Sequence, residues 1–183
     1  MLKVGDAAPK FEFTSQTGKK QKFPDDFSGK WVGIHFLRYI GCPLCLEKLN
    51  DLISNSQKYA EQGVEILAVV QSTEKRVKAY AEKKGVKFLL VPDRERKFYE
   101  LYDVAIGGLG AFFAPQVTVA TIRTTLKGNF HGMPEGSELQ KPASFIIDPQ
   151  GKLAFEYYGK NIADLISEDK FKEALAGLMA KGK

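Results

Sequence analysis

The 183-residue sequence predicts an α/β fold with a central mixed β-sheet flanked by helices. Short apolar runs alternate with stretches of helical period, the pattern of parallel strands joined by helices. The runs at 31–37 and 64–70 are almost continuously apolar, as expected for central strands covered on both faces. A chain of this length can bury a core without disulfides or metals, so we interpret residues 1–183 as a single domain.

The individual elements follow from these periodicities and from the residues between them. Gly63 and Gly85 each follow a helical stretch and can end it in the left-handed conformation. The segment 148–152, Asp-Pro-Gln-Gly-Lys, predicts the turn of a C-terminal hairpin. The predicted strands are 31–37, 64–70, 88–91, 143–147 and 153–158, and the predicted helices are 45–62, 74–84, 97–102 and 168–180.

A stretch rich in Gly, Ala, Phe and Thr, at about 105–136, is interpreted as an insertion before the C-terminal hairpin. Its glycines match no dinucleotide-binding or phosphate-binding pattern. The aromatic pair Phe112 and Phe113 precedes an apolar, helix-like run at 115–126. This part of the insertion predicts either a lid or subunit contact, which would make the protein a homodimer, or additional core packing.

Composition and charge exclude several classes of protein. The net charge is +5 and the pI about 9.1, yet the lysines are scattered and no basic-aromatic cluster appears, so we expect no nucleic-acid partner. The first residues carry no apolar stretch of the kind found in signal peptides or membrane spans. The expectation is therefore a cytoplasmic protein without a membrane partner.

The chemistry is expected at Cys42 and Cys45, the only two cysteines. In a cytoplasmic protein, this spacing at a strand-to-helix junction is typical of a reversible dithiol/disulfide couple. The alternatives are two inert buried cysteines or a zinc site, but zinc would need further ligands and only His35 and His131 exist. We interpret His35 as a strand histidine with satisfied hydrogen bonds and His131 as a loop residue, and we expect neither a metal nor another cofactor.

The two thiols are expected to play different roles. Pro43 suits the first position of a helix, where its missing N–H has no partner to lose, so Cys42 is the predicted N-cap. There the sulfur would face unpaired amides and the positive end of the helix dipole, both of which favour the thiolate. Cys45 begins the apolar stripe of the helix and is expected to be less exposed than Cys42. The residues predict attack by Cys42 and resolution by Cys45.

Three motifs resemble the alkyl hydroperoxide reductase/thiol-specific antioxidant, or peroxiredoxin-like, branch of the thioredoxin-fold superfamily. Residues 4–11 resemble the opening G-x-x-A-P-x-F of that branch, with Gly18 in the hairpin that follows. Residues 31–45 resemble its strand, active-site loop and helix start, and residues 142–152 resemble its P-T-x-F-x-I-D-x-x-G motif. The resemblance covers most of the chain and implies a thioredoxin-like fold with an N-terminal β-hairpin.

The resemblance leaves the attacking thiol open. The peroxiredoxin pattern P-x-x-x-T-x-x-C places Arg38 in the proline slot and Cys42 in the threonine slot, with Cys45 as the peroxidatic cysteine. The thioredoxin pattern instead places the attack at Cys42. The peroxide-polarising arginine of the family aligns with Pro142, which resembles the thioredoxin-type proline, cis-bonded and packed against the cysteines. Arg38 would stabilise the thiolate or replace the lost arginine, with Arg123 as a second candidate; alternatively, Arg38 is a solvated strand-end side chain.

The expected function is that of a thiol-disulfide oxidoreductase that cycles Cys42 and Cys45 on protein or small-molecule disulfides. One alternative is a thiol peroxidase that reduces hydrogen peroxide or organic hydroperoxides by attack from Cys45 and is restored by an external thiol reductant such as a thioredoxin. Another is a non-enzymatic interaction module that uses the Phe-rich insertion.

Overall fold

The computed structural model describes residues 1–108, 119, 123, 124, 126–128 and 132–181. The strands are β1 (Phe11–Thr14), β2 (Lys20–Phe23), β3 (Trp31–Phe36), β4 (Val64–Val70), β5 (Leu89–Pro92), β6 (Ala143–Ile147) and β7 (Leu153–Tyr158). The helices are α1 (Pro43–Glu61), α2 (Glu74–Lys84), α3 (Lys97–Leu101) and α4 (Glu168–Lys181). No helix in these described ranges is both long and apolar enough to cross a membrane.

Five strands form the central sheet, in the order β5-β4-β3-β6-β7. The pairs β3–β4 and β4–β5 are parallel, whereas β3–β6 and β6–β7 are antiparallel. The predicted mixed sheet is therefore confirmed. Strands β1 and β2 pair separately as the expected N-terminal hairpin. Gly18, in the turn of this hairpin, has a φ of +78°, a conformation that glycine adopts without strain.

The two faces of the sheet bury two separate apolar layers. Leu49 and Leu52 of α1 and Phe171 of α4 belong to the layer on one face. The other layer is rich in aromatic side chains from the hairpin, β3 and the region of α3, among them Phe11, Phe36 and Tyr99. Full burial of each such side chain contributes about 1.5–3 kcal/mol, so these layers supply the main driving force for folding.

Gly33 permits helix α4 to pack closely on strand β3. A Cβ at this position would lie 2.7 Å from Cζ of Phe171 and 2.8 Å from Cδ1 of Ile66. These separations are shorter than normal carbon contacts, so any larger residue would push α4 away from the sheet. The glycine therefore helps to fix α4 against the face of the sheet that also carries α1.

The observed bounds match the predicted ones for β4, α2, β6 and β7. The main difference is helix α1, which begins at Pro43 rather than at residue 45, because proline already has a helical φ and can form the first turn. The aromatic pair of the insertion and His131 lie outside the described residues. Within the predicted run 115–126, only 119, 123, 124 and 126 are described, and these four are helical.

Candidate active site

Cys42 lies at the junction between the end of β3 and the start of α1. It is the N-cap of α1, with Pro43 in the first turn, as the sequence predicts. The preceding Gly41 has a φ of +125°, and its carbonyl accepts a hydrogen bond from the Gly132 N–H at 2.8 Å. A Cβ on Gly41 would lie 3.3 Å from Nη2 of Arg76 and 3.4 Å from the Gly132 Cα. The loop that carries Cys42 is thus packed closely against the C-terminal part of the insertion.

Both cysteines are free thiols, so the structure represents the dithiol state. Cys42 is 0% exposed and Cys45 is 2% exposed. The expectation that Cys42 would be the more exposed of the two is therefore wrong. The physical reason is the close approach of Gly41 and Gly132, together with the packing of Arg38 beside the sulfur.

Arg38 contacts both sulfurs through different parts of the residue. Its guanidinium Nη2 donates to Cys42 Sγ at 2.8 Å, and its backbone N–H donates to Cys45 Sγ at 3.2 Å. Arg38 is 6% exposed, so it is not a solvated strand-end side chain. The full positive charge lies beside Cys42, while Cys45 receives only a neutral amide donor.

The pKa of the Cys42 thiol is lowered to about 6. Burial raises this pKa, but hydrogen bonding from Cys45 and the positive charge of Arg38 outweigh the effect of burial. The Cys42 side chain makes no N-cap hydrogen bond, yet the backbone N–H of Cys45, in the first turn of the helix, also lowers its pKa. The buried guanidinium therefore adds charge stabilisation to that of the helix start.

Cys45 has the opposite electrostatic behaviour. Burial raises the pKa of its thiol well above the ordinary value, and hydrogen bonding and charge interaction with Cys42 raise it further. A thiolate on Cys42 therefore opposes a second negative charge one helical turn away. At neutral pH the pair holds one thiolate, on Cys42, and one protonated thiol, on Cys45.

Tyr39 and Glu138 complete the site, and sequence reasoning missed both of them. Arg38 Nη1 donates to the backbone oxygen of Glu138 at 2.7 Å and to its Oε2 at 3.1 Å. The Tyr39 hydroxyl donates to Oε1 of the same carboxylate. Glu138 is 100 residues from Arg38 in sequence and belongs to no recognised motif, so no sequence signal marks it.

The expected cis bond before Pro142 is not present. Among the described residues, only the Phe23–Pro24 bond is cis. The residues on both sides of this bond are hydrogen-bonded: the Lys141 N–H donates to the Ala105 carbonyl, and the Pro142 carbonyl accepts from the Gly159 N–H. Pro142 is buried. A Cβ on Gly159 would lie 2.8 Å from Cγ of Pro142, so the ring packs against the chain after β7. The structure therefore provides no support for a thioredoxin-type role of Pro142.

Arg123 does not join the thiol site. It pairs with Glu47 on α1, with 2.8 Å between Nη2 and Oε2, and its side chain is 60% exposed. The alternative assignment of Arg123 as the arginine that acts on the thiols is therefore wrong.

A second polar cluster lies on the same face of the sheet as α1. Lys48 is 4% exposed and pairs with Glu168 at 2.8 Å, and the Tyr59 hydroxyl donates to the same carboxylate at 2.5 Å.

His35 Nδ1 forms a 2.8 Å hydrogen bond with Ser144 Oγ, whereas its Nε2 has no partner within the described part of the chain. Burial, and to a lesser degree the charge of Lys48, hold the pKa of His35 well below its ordinary value. His35 is therefore a neutral strand histidine, although only one of its ring nitrogens is hydrogen-bonded.

The described residues contain no group of three or more His, Cys, Asp or Glu side chains placed to hold a metal ion.

The chain is similar to known thiol enzymes over most of its length. The model of the AhpC/TSA family matches residues 4–156. "Peroxiredoxin Bcp" of Bacillus subtilis (strain 168) is 25% identical over 167 residues, which cover 91% of this chain and 92% of the relative. "Thiol-disulfide oxidoreductase ResA" of Bacillus thuringiensis (strain Al Hakam) is 33% identical over 183 residues, which cover 98% of this chain and 79% of the relative.

Solved structures show the same fold. The crystal structure of Peroxidoxin BcpB from Mycobacterium tuberculosis aligns with a TM-score of 0.70 and 19% sequence identity, covering 98% of each chain. This likeness confirms the thioredoxin-like fold expected from the motifs.

Proposed function

The chain belongs to the AhpC/TSA family and is a thiol-dependent oxidoreductase, and we propose that it performs thiol-disulfide exchange with Cys42 as the attacking thiol and Cys45 as the resolving thiol. The observation that carries this assignment is the position of Arg38. Its guanidinium lies 2.8 Å from Cys42 Sγ, whereas Cys45 accepts only a backbone N–H. The thiolate is the nucleophile in disulfide exchange, so the stabilised sulfur attacks first.

The proposed cycle has two exchange steps. The Cys42 thiolate attacks one sulfur of the substrate disulfide, a mixed disulfide forms, and the other substrate sulfur leaves as a thiolate that takes up a proton. The Cys45 thiol then loses its proton and attacks Cys42 Sγ, which expels the second substrate sulfur. The substrate disulfide is reduced to two thiols, and the Cys42/Cys45 dithiol is oxidised to a disulfide.

The burial of Cys42 makes substrate access a conformational step. A 2.8 Å hydrogen bond from the Gly132 N–H to the Gly41 carbonyl joins the loop that carries Cys42 to the chain around Gly132. Separation of this contact, next to Cys42 in the chain, would open the loop that carries the sulfur. We therefore propose that substrate binding replaces the contact between Gly41 and Gly132, and that the substrate is a protein or small-molecule disulfide.

Peroxide reduction is the second candidate, because relatives of the chain are named peroxiredoxins. A peroxide oxygen beside the thiolate would need hydrogen-bond donors from the protein. In the present state, Arg38 Nη2 is directed at Cys42 and Nη1 at Glu138. The remaining Nε is buried without a partner among the described residues. Nε is therefore the nitrogen that remains for a peroxide oxygen, whereas Nη1 and Nη2 already contact Glu138 and Cys42, so peroxide reduction stays the second candidate. In either case, we propose that a thioredoxin-type thiol reductant restores the dithiol.

Stopped-flow oxidation of the reduced protein separates the two candidates. The fluorescence of Trp31, the only tryptophan, provides a signal, and a mass decrease of two hydrogens confirms formation of the disulfide. We expect fast oxidation by a small aromatic disulfide and slow oxidation by hydrogen peroxide. The variant with both cysteines replaced by serine is the control and should not react. Fast oxidation by peroxide together with a slow reaction with disulfides would contradict the proposal, and function that survives in the double serine variant would indicate an interaction module.

A further inference from the structure

The guanidinium of Arg38 is divided between two acidic groups. Nη2 donates to Cys42 Sγ at 2.8 Å, and Nη1 donates to Glu138 Oε2 at 3.1 Å. Arg38 is 6% exposed, so water screens both interactions less than it would at the protein surface. The single positive charge of Arg38 therefore interacts with the Cys42 thiolate and the Glu138 carboxylate at the same time.

Glu138 is held in this position by its neighbours. The Tyr39 hydroxyl donates to Oε1, which leaves Oε2 for Arg38. One residue earlier, the Ser137 N–H donates to the side chain of Gln71 at 2.8 Å, directly after the end of β4. A Cβ on Gly136 would lie only 2.3 Å from Gln71 Oε1, so the chain approaches Gln71 closely just before Glu138. The carboxylate is therefore placed by contacts that do not depend on Arg38.

We propose that Glu138 is a positioning residue that anchors Arg38 through its backbone carbonyl and, through its carboxylate, limits the stabilisation that Arg38 gives to the Cys42 thiolate. The inference rests on the proposed role of Cys42 as the attacking thiol. A carboxylate and a thiolate that share one cation repel each other, so each reduces the stabilisation of the other. In the described part of the chain, the other titratable groups that interact with Cys42 are Arg38, Tyr39 and Cys45, and Arg76 lies beside the preceding residue.

This balance matters for the rate of exchange. A thiolate that is stabilised too strongly becomes a weaker nucleophile, and the best attacking thiol has a pKa near the ambient pH. The pKa of Cys42, about 6, is already low for a thiol. By sharing Arg38, Glu138 preserves part of the nucleophilicity of Cys42, whose thiol still ionises below neutral pH.

The variant Glu138→Gln tests the proposal, because it removes the charge but keeps the size of the side chain and the backbone carbonyl. The matched control is Glu135→Gln, which loses the same charge three residues away, where Glu135 pairs with Arg76 at 3.2 Å. The measurement is the pH dependence of thiolate absorbance and of Cys42 alkylation, with peptide mapping. We expect the Cys42 midpoint to fall by about one pH unit in Glu138→Gln and to stay unchanged in Glu135→Gln. The alkylation rate of the fully ionised Cys42 should fall about threefold in Glu138→Gln.

Three results would overturn the inference. An unchanged midpoint in Glu138→Gln, or an equal shift in both variants, would mean that Glu138 has no specific effect on the thiolate. A raised midpoint would mean that the carboxylate mainly holds Arg38 against the sulfur. Circular dichroism checks folding, and Glu138→Ala, which also keeps the carbonyl, must shift the midpoint in the same direction. Labelling of Cys45 before Cys42 in the unmodified protein would instead contradict the proposed function, whatever the Glu138 variants show.

Discussion

Cys42 and Cys45 lie within one turn at the start of the same helix, and both are buried. The pKa of the Cys42 thiol is nevertheless lowered, whereas that of the Cys45 thiol is raised. Burial raises the pKa of both thiols, so burial alone would make both inert. Hydrogen bonding between the two thiols lowers the pKa of Cys42 and raises that of Cys45, and Arg38 adds to the difference because it presents its guanidinium to Cys42 and its backbone N–H to Cys45. Arg38, just after strand β3, therefore contacts two identical side chains in different ways.

This comparison shows that exposure is a poor guide to reactivity in this site. Cys42 is 0% exposed, yet the pKa of its thiol is about 6. A buried ionised group needs a charged or hydrogen-bonding partner, and the charge of Arg38 is more effective because water is excluded. The following predictions test this difference between the two thiols, starting with the largest expected effect on the chemistry.

Replacing each cysteine by serine in turn should separate the two steps. Cys42→Ser should abolish disulfide exchange, with a loss of at least about 1,000-fold, because no ionised sulfur remains at neutral pH. Cys45→Ser should keep the first step and accumulate a mixed disulfide on Cys42, because no resolving thiol is present. Mass spectrometry after mixing with a disulfide detects the adduct. A stable adduct on Cys45 in Cys42→Ser, formed as fast as in the unmodified protein, would reverse the assignment.

Replacing Arg38 by methionine should reduce the difference in pKa between the two thiols. The pKa of Cys42 should rise from about 6 towards the ordinary value of about 8.5, which lowers the thiolate fraction at pH 7 by about 30-fold. The observed exchange rate at pH 7 should fall by less, because a thiolate of higher pKa is a stronger nucleophile. The pH midpoint of the rate is therefore the measurement to make.

The control for this prediction is Arg38→Lys, which keeps the positive charge but replaces the two terminal guanidinium nitrogens by one ammonium nitrogen. It should give an intermediate midpoint, since lysine cannot contact Cys42 and Glu138 with separate nitrogens. If Arg38→Met left the midpoint near pH 6, Arg38 would not be the source of the difference between the thiols.

Replacing Lys48 by methionine should have the smallest effect on the thiols. Lys48 is also a buried cation on the sheet-facing side of α1, but it pairs with Glu168 rather than with sulfur. Its loss leaves a buried carboxylate without its cation and should lower the free energy of unfolding by about 3 kcal/mol. The Cys42 midpoint should stay within about 0.3 pH units of the original value. Chemical denaturation and thiol titration of one sample measure both quantities, and a midpoint shift as large as that in Arg38→Met would show that any buried cation near α1 suffices.

The sequence predicts most of the fold because local patterns determine it. Strand β4 and helix α2 are bounded by residues with clear turn or capping preferences, such as Gly63 and Gly85, and their observed bounds equal the predicted ones. Pro43 likewise identifies Cys42 as the N-cap from local geometry alone. These features need no knowledge of distant contacts.

The rest of the site depends on tertiary contacts that periodicity does not encode. Glu138 meets Arg38 across 100 residues of sequence, and the burial of Cys42 follows from the approach of Gly132 to Gly41. The expectation for Pro142 came from resemblance to a family motif, and the actual backbone there is set by hydrogen bonds to Ala105 and Gly159. Local chemistry thus indicates which thiol is placed to attack, and packing determines what activates it.

The most direct test of the central claim is alkylation of the reduced protein with a limiting reagent between about pH 4 and pH 9, followed by peptide mapping of both cysteines. We predict that Cys42 is modified first throughout this range, with a midpoint near pH 6, and that Cys45 stays protonated and unmodified until Cys42 has reacted. Preferential modification of Cys45, or a Cys42 midpoint at the ordinary value for a thiol, would contradict the claim that Arg38 activates Cys42.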